Sequence, residues 1–409
     1  MKLKNLACAL LACAAITPAF AVEGPTPHGI PALRHVWVIM MENHAYAQII
    51  GNPQAPFINA EAGIGNLATN YFAVAHPSLT NYLEMNGGSN FGVQDDNSPD
   101  WHDSTCQPNL ATGVTNDEAV SSAICPIAGS GVDAATPAID YTNETSGAPG
   151  LLNIDGVKSY AAATNITGIT IADQLADYGL SWKSYQENLP IAGADGVSTS
   201  DGFFTDTTNF SSFDPSLGLS DSAEVGLYAA KHNPFVYFAS VQAGTTPGLS
   251  LANSVDFNRL YGDLQSGNVP AYSFIAPNQC DDQHGRGNGT VFCNYDPNDN
   301  GTQTGLNPAL TMMADQTAQR LVTAIKASPA WKQGRNAIVM LWDENDYSIA
   351  PTLNKVVTIV DTNYGSHGKH SATYYTHFSL LATIESGFGL PCLNHACDKS
   401  STVMNDLFH

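Results

Sequence analysis

Apolar residues in this chain gather into short continuous runs, and stretches of helical periodicity separate several of them. The runs at 35–41, 182–185, 234–240, 271–276, 337–342 and 355–360 read as strands. A run that is apolar at successive positions fits a strand covered on both faces, as in a parallel sheet. Between the runs, Thr170 opens a helical stretch at 171–178 that Gly179 stops. Residues 308–327 bring Leu310, Met313, Leu321 and Ile325 to one helical face, 379–388 form a further short helix, and 79–85 can form a helix just after Pro77. Strands alternating with helices predict an α/β fold, a mostly parallel central sheet with helices on both faces.

Two stretches break this rhythm. Residues 87–168 and 193–221 are rich in Gly, Asn, Asp, Pro and Ser. Loops of that length inside a compact domain are usually functional or carry irregular structure. They read as insertions over the carboxyl ends of the strands, where they would shape a pocket. No internal repeat interrupts residues 22–409, which read as one domain.

The first residues carry Lys2 and Lys4, an apolar stretch at 6–16 and Ala19-Phe20-Ala21. That is the form of a bacterial secretory signal over residues 1–21. The apolar stretch is too short to span a bilayer, so a periplasmic or secreted chain without stable membrane insertion is expected. Leu10-Leu11-Ala12-Cys13 is a weak lipobox-like match, set very close to the start of the chain. With Cys8 and Cys13 removed, six cysteines remain, and an even count in an oxidising compartment predicts disulfides. The simplest pairing is local: Cys106–Cys125, Cys280–Cys293 and Cys392–Cys397. No C-x-x-C pair offers a thiolate metal site.

Acidic residues outnumber Lys and Arg by 37 to 15, giving a net charge of −22. This disfavours nucleic acid or anionic lipid as a partner held by long-range attraction. It also means that an anionic substrate would need a bound cation to neutralise it.

Two carboxylate-bearing dipeptides follow two of the runs, about three hundred residues apart: Glu42-Asn43 and Asp343-Glu344. Open α/β sheets bind ligands outside the carboxyl ends of their strands. If the two strands are neighbours, Glu42, Asn43, Asp343 and Glu344 converge. Oxygen donors of this kind suit Mg, Ca, Mn or Zn. Taken singly, each cluster also fits a capped turn or a solvated acidic loop. A third segment begins His76-Pro77-Ser78. The residue before a proline is extended, which places Ser78 at a helix N-terminus, where an anion is favoured. Ser78 is a candidate nucleophile that needs a metal or base to activate it, and by itself it also fits an ordinary N-cap. Asn81, one turn later, could donate to a phosphoryl oxygen. His232 precedes a run, Asp282 and His284 follow one, His367 and His370 lie in a glycine-rich loop, and His377 precedes a helix. Their jobs would be metal ligation, phosphate contact or proton donation.

With these segments in view, the chain resembles the bacterial and fungal phosphoesterase family of acid phosphatases and phospholipases C, a branch of the alkaline phosphatase-like superfamily. The matching stretches are Met41-Glu42-Asn43-His44-Ala45-Tyr46, His76-Pro77-Ser78-Leu79-Thr80-Asn81-Tyr82-Leu83 and Lys231-His232-Asn233-Pro234-Phe235. Pro277-Asn278 with Asp282-Gln283-His284, Trp342-Asp343-Glu344-Asn345-Asp346-Tyr347, and Tyr375-Thr376-His377-Phe378 running on to Glu385 complete the set, in the family's order. The resemblance implies an alkaline phosphatase-like fold and a divalent metal on Glu42, Asn43, Asp343 and Glu344. It implies Ser78 as nucleophile, with Asn81, His76 and His232 on the substrate. Asp282 and His284 match a second ligand pair, although two-metal members space theirs more widely, and His367 and His377 are candidates for the remaining histidine role. Thr80 stands where the family often has proline.

The resulting expectation is a metal-dependent acid phosphatase that cleaves small phosphate monoesters through a phosphoserine on Ser78. A phospholipase C-type phosphodiesterase is the alternative. A non-catalytic periplasmic or surface binding protein on the same scaffold is the reading from a different class. A sulfatase is disfavoured because Ser78-Leu79-Thr80-Asn81-Tyr82 lacks the C/S-x-P-x-R pattern, and no G-x-S-x-G elbow is present.

Overall fold

The computed structural model describes residues 23–91, 166, 168–189, 228–285, 293–298, 301–345 and 354–409. The expected signal segment, Cys106–Cys125, most of the first insertion and all of the second lie outside the described residues.

The strands are β1 His35–Met41, β2 Asn66–Ala68, β3 Tyr71–Phe72, β4 Trp182–Gln186, β5 Ser254–Val255, β6 Tyr272–Ala276, β7 Asn336–Trp342, β8 Thr358–Thr362, β9 His370–Ser371 and β10 Tyr375–Thr376. The helices are α1 Tyr46–Ile49, α2 Pro56–Ile64, α3 Ser78–Gly87, α4 Ile171–Asp177, α5 Ala239–Ala243, α6 Phe257–Ser266, α7 Pro308–Ala327 and α8 His377–Phe388. Local chemistry explains several boundaries. Thr170 closes a capping box on α4 with Asp173. The Asn307 side chain accepts from Ala309 and Leu310 at the start of α7, with Pro308 in the first turn.

Eight strands form one sheet in the order β5-β4-β6-β1-β7-β8-β2-β9, and β10 pairs with β3 apart from it. The pairs β4–β5, β4–β6, β1–β6, β1–β7 and β2–β9 are parallel, while β7–β8 and β2–β8 are antiparallel. The expected mostly parallel α/β sheet is present. At its centre, every residue of β1 and of β7 is buried. Side-chain alternation along β1 and β6 separates the two covering layers. Phe274 meets Tyr82 of α3 edge-on, and the Tyr272 hydroxyl donates to Asn86 of the same helix at 2.9 Å. On the opposite face, Trp37 packs against Trp331, and Tyr185 donates to Asp263 of α6 at 2.8 Å.

The feature that positions the site is the register of β1 on β7. His35 pairs with Asn336, and the ladder continues to Met41 opposite Trp342. A further bond, from Asp343 N to Met41 O at 3.0 Å, carries the pairing past the strand ends. Glu42 and Asp343 therefore leave the sheet side by side.

Two of the expected strands are revised. Residues 234–240 are not a strand: Pro234–Tyr237 form a 3-10 turn, and α5 follows after Phe238. Pro234 starts that turn, and an apolar run buried all round has no periodicity to tell strand from helix. In the 355–360 run the strand begins only at Thr358, whereas Lys355 and Val356 form isolated bridges to Phe72 and Ala45. Of the expected disulfides, Cys280–Cys293 and Cys392–Cys397 are formed. Among the described residues, no helix is long and apolar enough to cross a membrane.

Because Trp37 is fully buried between sheet and Trp331, Trp37→Ala is expected to lower stability by about 3–5 kcal/mol. A shift of the urea unfolding midpoint at unchanged slope measures it. A loss below about 1 kcal/mol would mean that this face is not packed as described.

Candidate active site

The carboxyl ends of β1 and β7 present three buried acids, Glu42, Asp343 and Glu344. Glu42 is fully buried. Its Oε1 accepts from the Tyr82 hydroxyl at 2.7 Å, and its Oε2 accepts from Ser78 Oγ at 3.0 Å. Glu344 accepts from Ser78 Oγ at 3.2 Å through Oε1 and from Asn81 Nδ2 at 3.0 Å through Oε2. The His76 Nδ1 lies 2.8 Å from the same Oε2. Asp343 is fully buried, and neither of its carboxylate oxygens meets a hydrogen-bond donor among the described residues. Asn43 follows Glu42 and is half-buried.

Ser78 is the first residue of α3, after a Pro77 in extended conformation. Its hydroxyl carries one proton but faces two carboxylates. The helix is fixed by its own polar residues: Asn81 Oδ1 accepts from Val74 N at 3.1 Å and Ala75 N at 3.0 Å, while its Nδ2 also donates to Ala75 O. Ser78, Asn81 and Tyr82 stand at i, i+3 and i+4, so one helix face aims all three at the acids.

A second flank comes from β6 and the Ala230–His232 turn. His232 lies between Glu42, with Nε2 at 3.0 Å from Oε1, and Asp282, with Nδ1 at 3.3 Å from Oδ2. Its ring stacks on Tyr82 at 5.1 Å and 7°. One ligand atom from each of Glu42, His232 and Asp282 lies within 4.8 Å of the others. The His284 backbone N–H donates to Asp282 Oδ1 at 2.8 Å; its ring Nδ1 lies 2.9 Å from Gly285 O and its Nε2 lies 3.4 Å from Lys231 Nζ. The tautomer with Nδ1–H toward the carbonyl leaves Nε2 to accept from the ammonium.

Two sequence candidates stand outside this group. His377 is fully buried, with Nε2 at 2.6 Å from the Asp343 carbonyl and Nδ1 at 2.9 Å from the Tyr71 hydroxyl. Both nitrogens are engaged, Nε2 on the Asp343 backbone and Nδ1 on the Tyr71 side chain. His367 is exposed and lies 3.9 Å from Asp361, which pairs with Ile338 near the start of β7. That is the far end of the sheet from Glu42. Conversely, Tyr82 and Lys231 join the site although neither was singled out from the sequence. The available signal was their place inside stretches that also hold Ser78 and His232.

Burial sets the electrostatics. It drives the Asp343 carboxyl well above the usual carboxylate range, and the neighbouring Glu42 and Glu344 charges add to it. Burial also dominates at Asp282, pushed up to about 7. Glu42 goes the other way: burial would raise it, but the charges of His232, His284 and Lys231 hold it below the usual range. His232 is raised to about 9 despite its burial, chiefly by the Glu42 and Asp282 carboxylates. Burial, with the Lys231 charge, lowers His284 to about 4. Four acids, two donor-free oxygens on Asp343 and no thiol suit a hard or borderline divalent cation.

The phosphoesterase family model matches residues 52–294 of this chain. A phosphatidylinositol-3-phosphatase of Mycobacterium tuberculosis is 23% identical over 377 residues, covering 91% of this chain and 83% of that protein. A phosphate-repressible acid phosphatase of Penicillium chrysogenum is 24% identical over 332 residues, covering 80% of this chain and 53% of its own length. The chain thus spans about half of the fungal relative. Among solved structures, the C-terminal periplasmic domain of a phosphoethanolamine transferase from Campylobacter jejuni is similar at a TM-score of 0.44 and 9% identity, covering 95% of this chain and 98% of that one.

The charge arrangement gives the ion-free protein a definite pH response. The contribution of His232, raised from 6.5 to about 9, is complete below its unfolded value and is lost as pH rises through about 9. Asp343, also raised, acts in the same sense, because the unfolded chain ionises while the folded one resists. In chelator, the melting temperature should fall from pH about 6.5 to about 9, less steeply in His232→Asn, and a divalent ion should lift it throughout. A flat or rising profile in chelator would contradict this account of the cluster.

Proposed function

The chain belongs to the phosphoesterase family and is a hydrolase of phosphoric ester bonds, and from that premise we propose that it cleaves small phosphate monoesters through a phosphoserine on Ser78. The observation that carries this reading is the Ser78 hydroxyl at the N-terminus of α3, at 3.0 Å from Glu42 and 3.2 Å from Glu344. Acid phosphatases among the relatives support the monoester choice. The phosphatidylinositol-3-phosphatase relative is consistent with it, since a phosphate on an inositol headgroup is also a monoester.

A divalent ion held by Glu42, Asn43, Asp343 and Glu344, with Asp282 and His232 flanking it, would supply Lewis-acid polarisation of a phosphoryl oxygen and favour the Ser78 alkoxide. The chain's own groups do the rest. Glu42 and Glu344 orient the Ser78 hydroxyl. One of these two carboxylates takes the Ser78 proton, and the serine oxygen attacks phosphorus as the bond to the leaving oxygen breaks. The leaving alkoxide takes its proton from His232, which, despite burial, its carboxylate neighbours keep protonated. Amide hydrogens at the start of α3 favour the anionic phosphoryl group. Water then attacks the phosphoserine, the bond from phosphorus to Ser78 Oγ breaks, and inorganic phosphate leaves with the serine reprotonated. His377 holds the Asp343 backbone in place and takes no part in proton transfer, and His367 has no role here. The two disulfides and the sequence of residues 1–21 support export from the cell.

Ser78→Ala should lower turnover of p-nitrophenyl phosphate by at least about 10³-fold while inorganic phosphate still binds. An acid-quenched wild-type reaction should contain phosphoserine at position 78. Unchanged turnover in that variant would sink the reading, and faster wild-type turnover of bis(p-nitrophenyl) phosphate than of the monoester would move it to a phosphodiesterase. Dialysis against a chelator is expected to cost at least about 10³-fold, restored by one of Mg, Ca, Mn or Zn. Full activity in metal-free protein would remove the ion from the mechanism.

A further inference from the structure

We propose that Lys231 sets the preference for phosphate monoesters, its ammonium binding the additional anionic oxygen that a monoester dianion carries and a diester lacks. The inference rests on the phosphoesterase reading above.

Among the described residues, Lys231 is the single lysine or arginine that is buried, at 3% exposure. A buried ammonium is costly unless charge or strong hydrogen bonding compensates it, and the chain has only 15 lysines and arginines to place. This one stands on the Ala230–His232 turn, immediately before the histidine that touches Glu42. The stack of His232 on Tyr82 ties that turn to the helix that begins with Ser78. The Lys231 Nζ lies 3.4 Å from His284 Nε2, and its charge is felt at the Glu42 carboxylate. It therefore sits on the cationic flank of the cluster, within the electrostatic reach of the acids that orient the nucleophile.

The charge balance says what it does there. An approaching phosphate meets Glu42, Asp282, Asp343 and Glu344. A divalent ion offsets those acids but leaves little charge for the substrate itself. A diester anion brings one negative charge to the reacting phosphorus, and a monoester dianion brings two. The second charge needs a further cation, and a lysine ammonium serves as a point-charge partner for phosphate oxygens. His284 accepts from the same ammonium and limits where it points.

The test compares Lys231→Met with the wild-type full-length chain, both loaded with the divalent ion, on p-nitrophenyl phosphate and on bis(p-nitrophenyl) phosphate. The kcat/KM for the monoester should fall about 10²-fold, that for the diester at most about threefold, so the preference collapses. Competitive inhibition by inorganic phosphate should weaken about tenfold or more, whereas Lys231→Arg, which keeps the charge, should retain most of the preference. Metal content measured by elemental analysis should not change. Equal losses on the two esters, an unchanged preference, or a lowered metal content overturns the inference and leaves Lys231 a structural residue. Lys231→Gln supplies a second neutral side chain should the methionine variant fail to fold. The two proposals separate cleanly: Ser78→Ala decides the phosphoserine reading, and the Lys231 inference falls alone if the wild-type enzyme prefers monoesters and Lys231→Met does too.

Discussion

Everything in this molecule's centre follows from like charges forced together by strand pairing. Once β1 and β7 run parallel with Met41 opposite Trp342, the next residues of each chain segment have no choice but to emerge as neighbours. Those residues are Glu42 and Asp343, with Glu344 one step on. Buried carboxylates repel one another, and removing the partner of a buried charge costs more than exposing it would. The surrounding groups are therefore occupied in compensation: the Tyr82 and Ser78 hydroxyls, the Asn81 amide, His76 and His232 each meet an acid. Asp343 differs: among the described residues no donor meets its oxygens, and burial, with the neighbouring Glu42 and Glu344 carboxylates, holds its carboxyl well above the usual range.

The scaffold for this was legible in the sequence where burial and periodicity agree. The run at 35–41 is β1 to the residue, and the 308–327 helix is α7 to the residue, because seven apolar positions in a row fit a central strand and Asn307-Pro308 marks a helix start. The 234–240 run had the same composition as a strand, but its leading proline favours a turn, and Pro234 to Tyr237 are all buried whichever way they point. The strands β2, β3, β5, β9 and β10 have two or three residues each. Nothing so short carries a period, so these had no signal to read.

The site was legible to the extent that it is written in the backbone. Glu42, Asp343 and Glu344 could be placed because the ends of apolar runs are strand ends, and Ser78 because a proline precedes it. The histidines were harder. His367 and His377 each sit in a segment that looks chemical, yet one lies at the opposite end of the sheet and the other holds a carbonyl. Only the three-dimensional path of β8 and α8 decides which histidine turns inward. Lys231 and Tyr82 escaped for a different reason. A lysine beside a histidine, or a tyrosine in a helix, is ordinary by composition, and their significance comes from what they touch.

The resulting cluster gathers its acids mainly on one side and its basic residues mainly on the other. Glu42, Asp343 and Glu344 lie on the side set by the sheet, and Ser78 opens α3 against them. Lys231, His232 and His284 lie on the side set by the turn after residue 229 and by the loop after β6. The two sides meet at His232, which lies between Glu42 and Asp282. The Ser78 hydroxyl lies beside this meeting point, at 3.0 Å from Glu42. The Tyr82–His232 stack and the Asn81 clamp fix the two sides against each other. The acids crowded at the carboxyl ends of the two central strands are thus held by the helix and the turn that pack against them.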